Sequence, residues 1–339
     1  MKLKLLTAVL GLSIAGLAVN AASAQTLQTV KDRDNLRCGV NTGLPGFASQ
    51  DDQGGWQGLD VDYCKAVAAA VFGDASKVQY SPLSAVQRFP ALQNNEIDML
   101  ARNTTWTMDR DTTLGLTFAG VNYYDGQGFM VKSDLNVNSA LELSGATVCV
   151  QSGTTTELNL ADYFRTNNMD YNPVVIESQS DVNSAYDSGR CDVLTTDASG
   201  LAASRLEMGN ADEHVILPEI ISKEPLGPAV RQGDTEWFNV VKWVHYALLN
   251  AEELGVTQAN VEEMLESENP EIRRLLGQDS NFGESIGVSQ DWVVNVIKAV
   301  GNYGEIFERN IGVNTPLQIQ RGQNALWTKG GLQYGMPIR

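Results

Sequence analysis

Two successive stretches of this chain alternate short apolar strands with helices, and that alternation narrows the fold more than any other feature. The first stretch predicts a strand over 36–41, a Gly-rich loop over 43–58, and a helix over 62–72 with Tyr63, Val67, Ala70 and Val71 on one face. A strand over 78–80, a helix over 88–94 and a strand over 97–100 complete it. The second stretch predicts a strand over 146–150, a helix running from Gly153-Thr154-Thr155 through Phe164, a strand over 174–176, a helix over 182–188 and a strand over 192–195. Strand–helix–strand wiring of this kind builds a largely parallel sheet covered by helices. Two such units in one chain predict two lobes. Residues 126–132 are expected to cross from the first lobe to the second, and 223–233 to cross back.

The C-terminal part keeps a different period. Trp237, Val240, Val241, Val244 and Leu248 mark one helical face; Val293, Val296, Ile297 and Val300 mark another. Both stripes read as core packing. The chain is therefore expected to divide into a leader over 1–24, a first lobe over 25–130, a second lobe over 131–224, and a return to the first lobe with a helical extension over 225–339.

The leader is read from Lys2 and Lys4, the apolar run from Leu5 to Val19, and Ala22-Ser23-Ala24. This is the pattern of a secretory signal peptide, cleaved between Ala24 and Gln25. The run is too short to span about 30 Å of hydrocarbon. Loss of Lys2 and Lys4 takes the formal net charge from −17 to about −19, which disfavours nucleic acid and anionic lipid as partners. Export also bears on Cys38, Cys64, Cys149 and Cys191, since an even number of cysteines in an exported chain suggests disulfides. Three pairings are possible. Cys38–Cys64 with Cys149–Cys191 is favoured because each bridge then stays inside one lobe. A metal site is not expected: there is no CxxC, and the histidines are His214 and His245.

An enzyme would need an activated nucleophile, a metal or a poised acid or base. The sequence has no H-E-x-x-H or P-loop, and both histidines read as structural or solvated. Binding chemistry is better represented. Asn103-Thr104-Thr105-Trp106-Thr107-Met108-Asp109-Arg110 follows a strand at its C-terminal end, where open α/β sheets bind ligands. Hydroxyls, backbone N–H groups and the Arg110 fork suit a small carboxylate. The threonines of Gly153-Thr154-Thr155-Thr156-Glu157 can cap a helix whose free N–H groups also hold an anion. Asp197, past the last predicted strand, can receive an ammonium group or cap the next helix.

In order along the chain, Gly58-Leu-Asp-Val-Asp62, Ile97-Asp-Met-Leu100, Thr105 to Arg110, Tyr123-Tyr-Asp-Gly126, Gly153-Thr-Thr155 and Cys191-Asp-Val-Leu-Thr-Thr-Asp197 resemble the family-3 extracellular solute-binding proteins of amino-acid ABC importers. Arg102-Asn-Thr-Thr-Trp-Thr107, the run from Gly301 to Asn310, and Leu326-Trp-Thr-Lys-Gly-Gly-Leu332 resemble its general L-amino-acid-binding subgroup, whose members handle glutamate, glutamine, aspartate and asparagine.

The resemblance implies a two-lobed type II periplasmic binding protein fold, α/β, each lobe a mixed, mostly parallel sheet with flanking helices, plus the C-terminal extension. It implies a monomer in the periplasm that binds a free L-amino acid between its lobes, closes on it, and delivers it to inner-membrane permease subunits, without cofactor or catalysis. Arg110 would clamp the α-carboxylate, helped by Thr105 and by Thr155 of the other lobe, with Thr154 beside it. Asp197 would take the α-ammonium, assisted by Asn103. Arg88 would face the ligand side chain. Leu44 stands where many relatives stack an aromatic, which loosens side-chain selection. Some relatives on this fold are dehydratases or lytic enzymes; here Asp197 and Glu157 are the nearby acid or base candidates. A sensory module would carry membrane and signalling segments, which are not expected after Arg339.

Overall fold

A computed structural model describes residues 25–339; the leader lies outside the described residues. Fourteen strands follow in chain order: β1 (Leu36–Asn41), β2 (Ser49–Gln50), β3 (Trp56–Gln57), β4 (Val78–Leu83), β5 (Met99–Leu100), β6 (Leu116–Phe118), β7 (Tyr123–Asp125), β8 (Gln127–Lys132), β9 (Thr147–Gln151), β10 (Asn172–Ile176), β11 (Val193–Asp197), β12 (His214–Ile216), β13 (Glu224–Leu226) and β14 (Ala229–Arg231). They form two five-stranded sheets, β4-β1-β5-β14-β6 and β10-β9-β11-β8-β12. In each sheet three neighbouring strands are parallel and the fourth runs against them. The reversed strands, β8 and β14, are the first to enter each sheet after a crossing.

The crossings themselves are a two-stranded antiparallel ribbon, β7 with β13, register Tyr123↔Leu226 to Asp125↔Glu224. Residues 127–132, expected as connector, are thus a full strand of the second sheet, and the join to the first crossing is Gly126 alone. A side chain at Gly126 would lie 2.2 Å from Ile220 and 2.8 Å from the Ser222 carbonyl, so only glycine lets the two crossings pass this closely. We assign each sheet with its helices to one lobe, which moves the first border from 130 back to 126.

Other elements extend beyond their expected bounds. β4 runs on through Pro82, and β10 begins two residues early at Asn172 and includes Pro173. Both are edge strands, where a residue without an N–H costs no ladder bond. The helix expected from 62 begins at Leu59, and the helix Thr26–Arg33 precedes the first strand.

The second sheet is apolar on both faces because successive side chains alternate. Phe129, Val131, Val148, Val150 and Val193 face one way, against the helix Thr155–Thr166 through Leu160 and Phe164. Met130, Cys149 and Leu194 face the other, with Val182, Tyr186 and Leu201. The structure joins Cys149 to Cys191 there, and Cys38 to Cys64 in the first lobe.

The C-terminal helices Thr235–Glu253, Trp292–Val300 and Tyr303–Asn310 complete the first lobe's core with Leu59–Phe72. The last segment ties back to the crossing ribbon. Asn324 Nδ2 donates to the Tyr124 carbonyl at 3.0 Å, and Tyr124 N donates to Asn324 Oδ1 at 2.7 Å. Among the described residues, no helix is long and apolar enough to cross a membrane.

Candidate functional site: a charged cleft between the sheets

The C-terminal ends of β1, β5, β9 and β11 converge on one cavity between the sheets. Asn41 ends β1, Gln151 ends β9 and Asp197 ends β11. The loop after β5 lays Thr105 against Leu226 of the ribbon as an isolated bridge. Seven of the eight ligand residues expected from sequence line this cavity: Leu44, Arg88, Asn103 and Thr105 from the first lobe, Thr154, Thr155 and Asp197 from the second.

Arg110 is the eighth and stands behind the lining. It is 6% exposed, donates from Nη1 to the Thr105 carbonyl at 2.8 Å, and lies over the Phe89 ring at 5.0 Å. Its side chain makes no other hydrogen bond to a described residue, although a guanidinium carries five N–H donors. Arg88, 2% exposed, spends one nitrogen on Thr104 Oγ1 at 3.3 Å, and its Nε has no partner. Arg102, which the sequence reading passed over as a site residue, donates from Nε to the Leu83 carbonyl at 2.9 Å and leaves Nη2 without a partner. It too lines the cavity. Burial pulls all three guanidinium groups below their ordinary range, Arg102 to about 10.

Across the cavity the charges reverse. Asp197 is 7% exposed, and no side-chain hydrogen bond satisfies its carboxylate, although it sits at the start of the helix Ala198–Glu207. Burial, then the Asp125 and Glu224 carboxylates, push it well above the ordinary carboxylate range. Asp125 is likewise pushed up to about 6 by burial, although Ser199 and the Gly126 N–H donate to it. Buried charges with hydrogen-bonding capacity left unused are rare in folded proteins, and here Arg88, Arg102 and Asp197 share a single cavity with Arg110 just behind its wall.

The residue least visible in sequence is Glu224, 1% exposed on β13. Its Oε2 accepts from Thr105 Oγ1 at 2.6 Å and from Thr155 Oγ1 at 2.8 Å. Its Oε1 accepts from Asn159 Nδ2 at 2.8 Å and Ser222 Oγ at 2.7 Å. A hydroxyl has one proton. With both spent on Glu224, neither threonine retains one for a second acceptor. The one sequence signal was position: a carboxylate within the return crossing.

The remaining expected residues have local roles. Thr154 caps its helix, accepting from Glu157 N at 3.2 Å and donating to the Gln151 carbonyl at 2.7 Å. The Glu157 carboxylate accepts from Gly153 N at 3.1 Å. Asn103 takes a left-handed backbone (φ 31°), and its N–H donates to Asp60 Oδ2 at 2.7 Å while Oδ1 accepts from Asn41 at 2.9 Å. Phe47 is buried edge-on to Tyr123 and leaves Leu44 facing the cavity. His245 is buried with Nδ1 2.9 Å from Tyr63 Oη, and burial pulls it down to about 3. His214 is packed on Tyr186, Nδ1 to Oη 3.0 Å. Among the described residues no group of three or more His, Cys, Asp or Glu could hold a metal.

The lobes touch around the cavity. Ser84 Oγ donates to Glu177 Oε1 at 3.2 Å, and the Thr105 and Thr155 hydroxyls are 3.3 Å apart. Gly153 (φ 72°) packs so close to Val86 that a side chain there would come within 2.7 Å.

This architecture has relatives. The chain is 64% identical over 341 residues, covering 100% of both chains, to the general L-amino acid-binding periplasmic protein AapJ of Rhizobium johnstonii. It is 57% identical over 328 residues, 96% of this chain and 97% of the other, to the glutamate/glutamine/aspartate/asparagine-binding protein BztA of Rhodobacter capsulatus. Among solved structures, an ABC transporter/periplasmic binding protein from Brucella ovis with glutathione bound superposes with a TM-score of 0.92 at 64% identity, covering 93% of this chain and 100% of that one. Residues 36–261 match the family described as bacterial extracellular solute-binding proteins, family 3, and the chain belongs to that family.

Proposed function

We propose that this chain is the substrate-binding component of an ABC importer. It captures free L-amino acids with acidic or amide side chains (glutamate, glutamine, aspartate, asparagine) in the periplasm, after loss of residues 1–24, and delivers them as a monomer to inner-membrane permease subunits. One observation carries the reading: the buried Arg88 and Arg102 guanidinium groups and the buried Asp197 carboxylate line one cavity between the lobes, Arg110 stands directly behind that lining, and all four have unused hydrogen-bonding capacity.

A zwitterion removed from water needs both its charges paired. Arg110 would take the α-carboxylate with its remaining N–H groups, together with the backbone N–H groups opening the helix Thr155–Thr166. Asp197 would take the α-ammonium. Arg88 and Arg102 would meet a side-chain carboxylate or carboxamide. The positive groups come from one lobe and Asp197 from the other, so both ends are paired only when the lobes meet. Ligand therefore favours closure through differential contacts. Glutathione, bound by the Brucella ovis relative, presents the same ammonium–carboxylate head.

Calorimetry of refolded 25–339 against single L-amino acids, with Arg110→Ala in parallel, tests this. Binding of several, abolished in the variant, is the expected result, with the ligand recovered unchanged. A folded protein that gives no heat with any amino acid would refute it.

A further inference from the structure

The cavity that holds the charges is small, about 30 Å³, but a second one of about 490 Å³ adjoins it at Gln151, which lines both. Both lobes line this outer chamber. Thr42, Gly43 and Ser84 come from the first; Ile176 to Ser178, Ser180, Asp181, Asn183 and Glu207 come from the second. The two walls adjoin: Gln151 is common to both, and Asn41 and Gln179 of the charged cavity are the chain neighbours of Thr42 and of Ser178 and Ser180. It persists while the lobes touch at Ser84–Glu177, at Thr105–Thr155 and at Gly153–Val86. Closure therefore leaves room beyond the amino-acid head for something attached to it.

The two chambers differ in charge. Arg88 and Arg102 line the inner one. The outer one has Glu177, Asp181 and Glu207 and no lysine or arginine on its wall. The Glu177 and Glu207 carboxylates accept from Ser84 and from Asn183 (3.2 and 3.1 Å), which fixes both against the chamber.

We propose that the outer chamber is a second subsite that takes the distal part of a γ-amide-extended amino acid, such as a γ-glutamyl compound, and that it selects by charge, preferring a cationic or neutral tail to a carboxylate. The proposal rests on the amino-acid reading above, which seats the head between Arg110 and Asp197, in the cavity that Gln151 also lines. A tail ending in an amine is attracted by the three carboxylates, and a tail ending in a carboxylate is repelled. Both effects act near the surface and are screened by salt.

The test is calorimetry of refolded 25–339 with four probes of one head: L-glutamine, its γ-N-ethylamide, its γ-N-(2-aminoethyl)amide and γ-L-glutamylglycine. The ethylamide should bind within about threefold of L-glutamine, the amine tail about three- to tenfold tighter than the ethylamide, and the carboxylate tail weaker by a similar factor. Asp181→Asn with Glu207→Gln should compress that order towards the ethylamide and leave L-glutamine unchanged. Normal binding of L-glutamine with loss of more than a hundredfold for all three extended compounds would overturn the subsite. An order that survives the double variant would overturn its charge selection. Failure of L-glutamine and of every other free amino acid would remove the head-group reading, and the proposal with it.

Discussion

Thr105 reaches Glu224 at 2.6 Å, a contact between the ligand-side loop of the first lobe and the ribbon that joins the lobes. Thr155 meets the same carboxylate oxygen from the second lobe at 2.8 Å. Glu224 is thus the point at which both lobes and the return crossing share one buried anion.

Removing that anion should be costly. Glu224→Ala strands four donors and is expected to lower the unfolding free energy by about 2–4 kcal/mol, read as a shift of the denaturant midpoint. Glu224→Gln, which still accepts on one oxygen, should lose less than half as much. Equal loss in both would mean that the shape of the side chain matters and its acceptors do not.

Arg110 is expected to act through its fork. Arg110→Lys keeps the charge but not the paired N–H geometry, and should weaken amino-acid binding at least about tenfold. Arg110→Ala should weaken it by about a hundredfold or more, because a carboxylate would then be buried unpaired. Titration calorimetry separates the two, and comparable affinities for Lys and wild type would show that only charge is used.

Asp60 gives a pH dependence. Burial raises it to about 6, against the hydrogen bonds from the Asn103 N–H and Asn122 that lower it. A carboxyl raised on folding contributes stability that is present below its unfolded pKa of about 3.8 and is lost as pH climbs through 6. At full effect the loss is about 3 kcal/mol for a shift of this size. Ligand-free protein should therefore lose stability between about pH 4 and pH 6, and Asp60→Asn should reduce that slope, leaving the part that the raised Asp125 and Asp197 carboxyls contribute. An unchanged slope in the variant would assign the titration to another group.

Asn324 supplies both hydrogen bonds on the open edge of β7. Asn324→Ala leaves the Tyr124 N–H and carbonyl without those partners, and amide exchange at Tyr124 is expected to accelerate by about tenfold or more while β9 exchanges as before. Equal acceleration in β9 would point to global destabilisation.

The alternation of strands and helices was readable because each sheet is covered on both faces, so strands such as β9 and β11 stand out as apolar runs between polar turns. The lining residues Thr105, Thr155 and Asp197 were readable for a related reason: strand C-termini are where such sheets bind ligands. The hinge was harder. Residues 127–132 are apolar whether they connect or pair, and only the antiparallel registers with β11 and β12 make them a strand. Glu224 and Arg102 escaped because a lone charged residue has no periodicity; its partners come from chain segments up to 119 residues away. That Arg110 stands behind Thr105 depends on how one loop turns, which spacing does not encode.

The two disulfides join the first cysteine to the second and the third to the fourth, at separations of 26 and 42 residues. A chain delivered N-terminus first presents Cys38 and Cys64 before Cys149 exists as a competitor. An oxidant that simply couples thiols in their order of arrival makes both native bonds, and neither has to be undone by an isomerase. Neither bond spans the ribbon, so each fastens one half within itself and adds no covalent tie between the two.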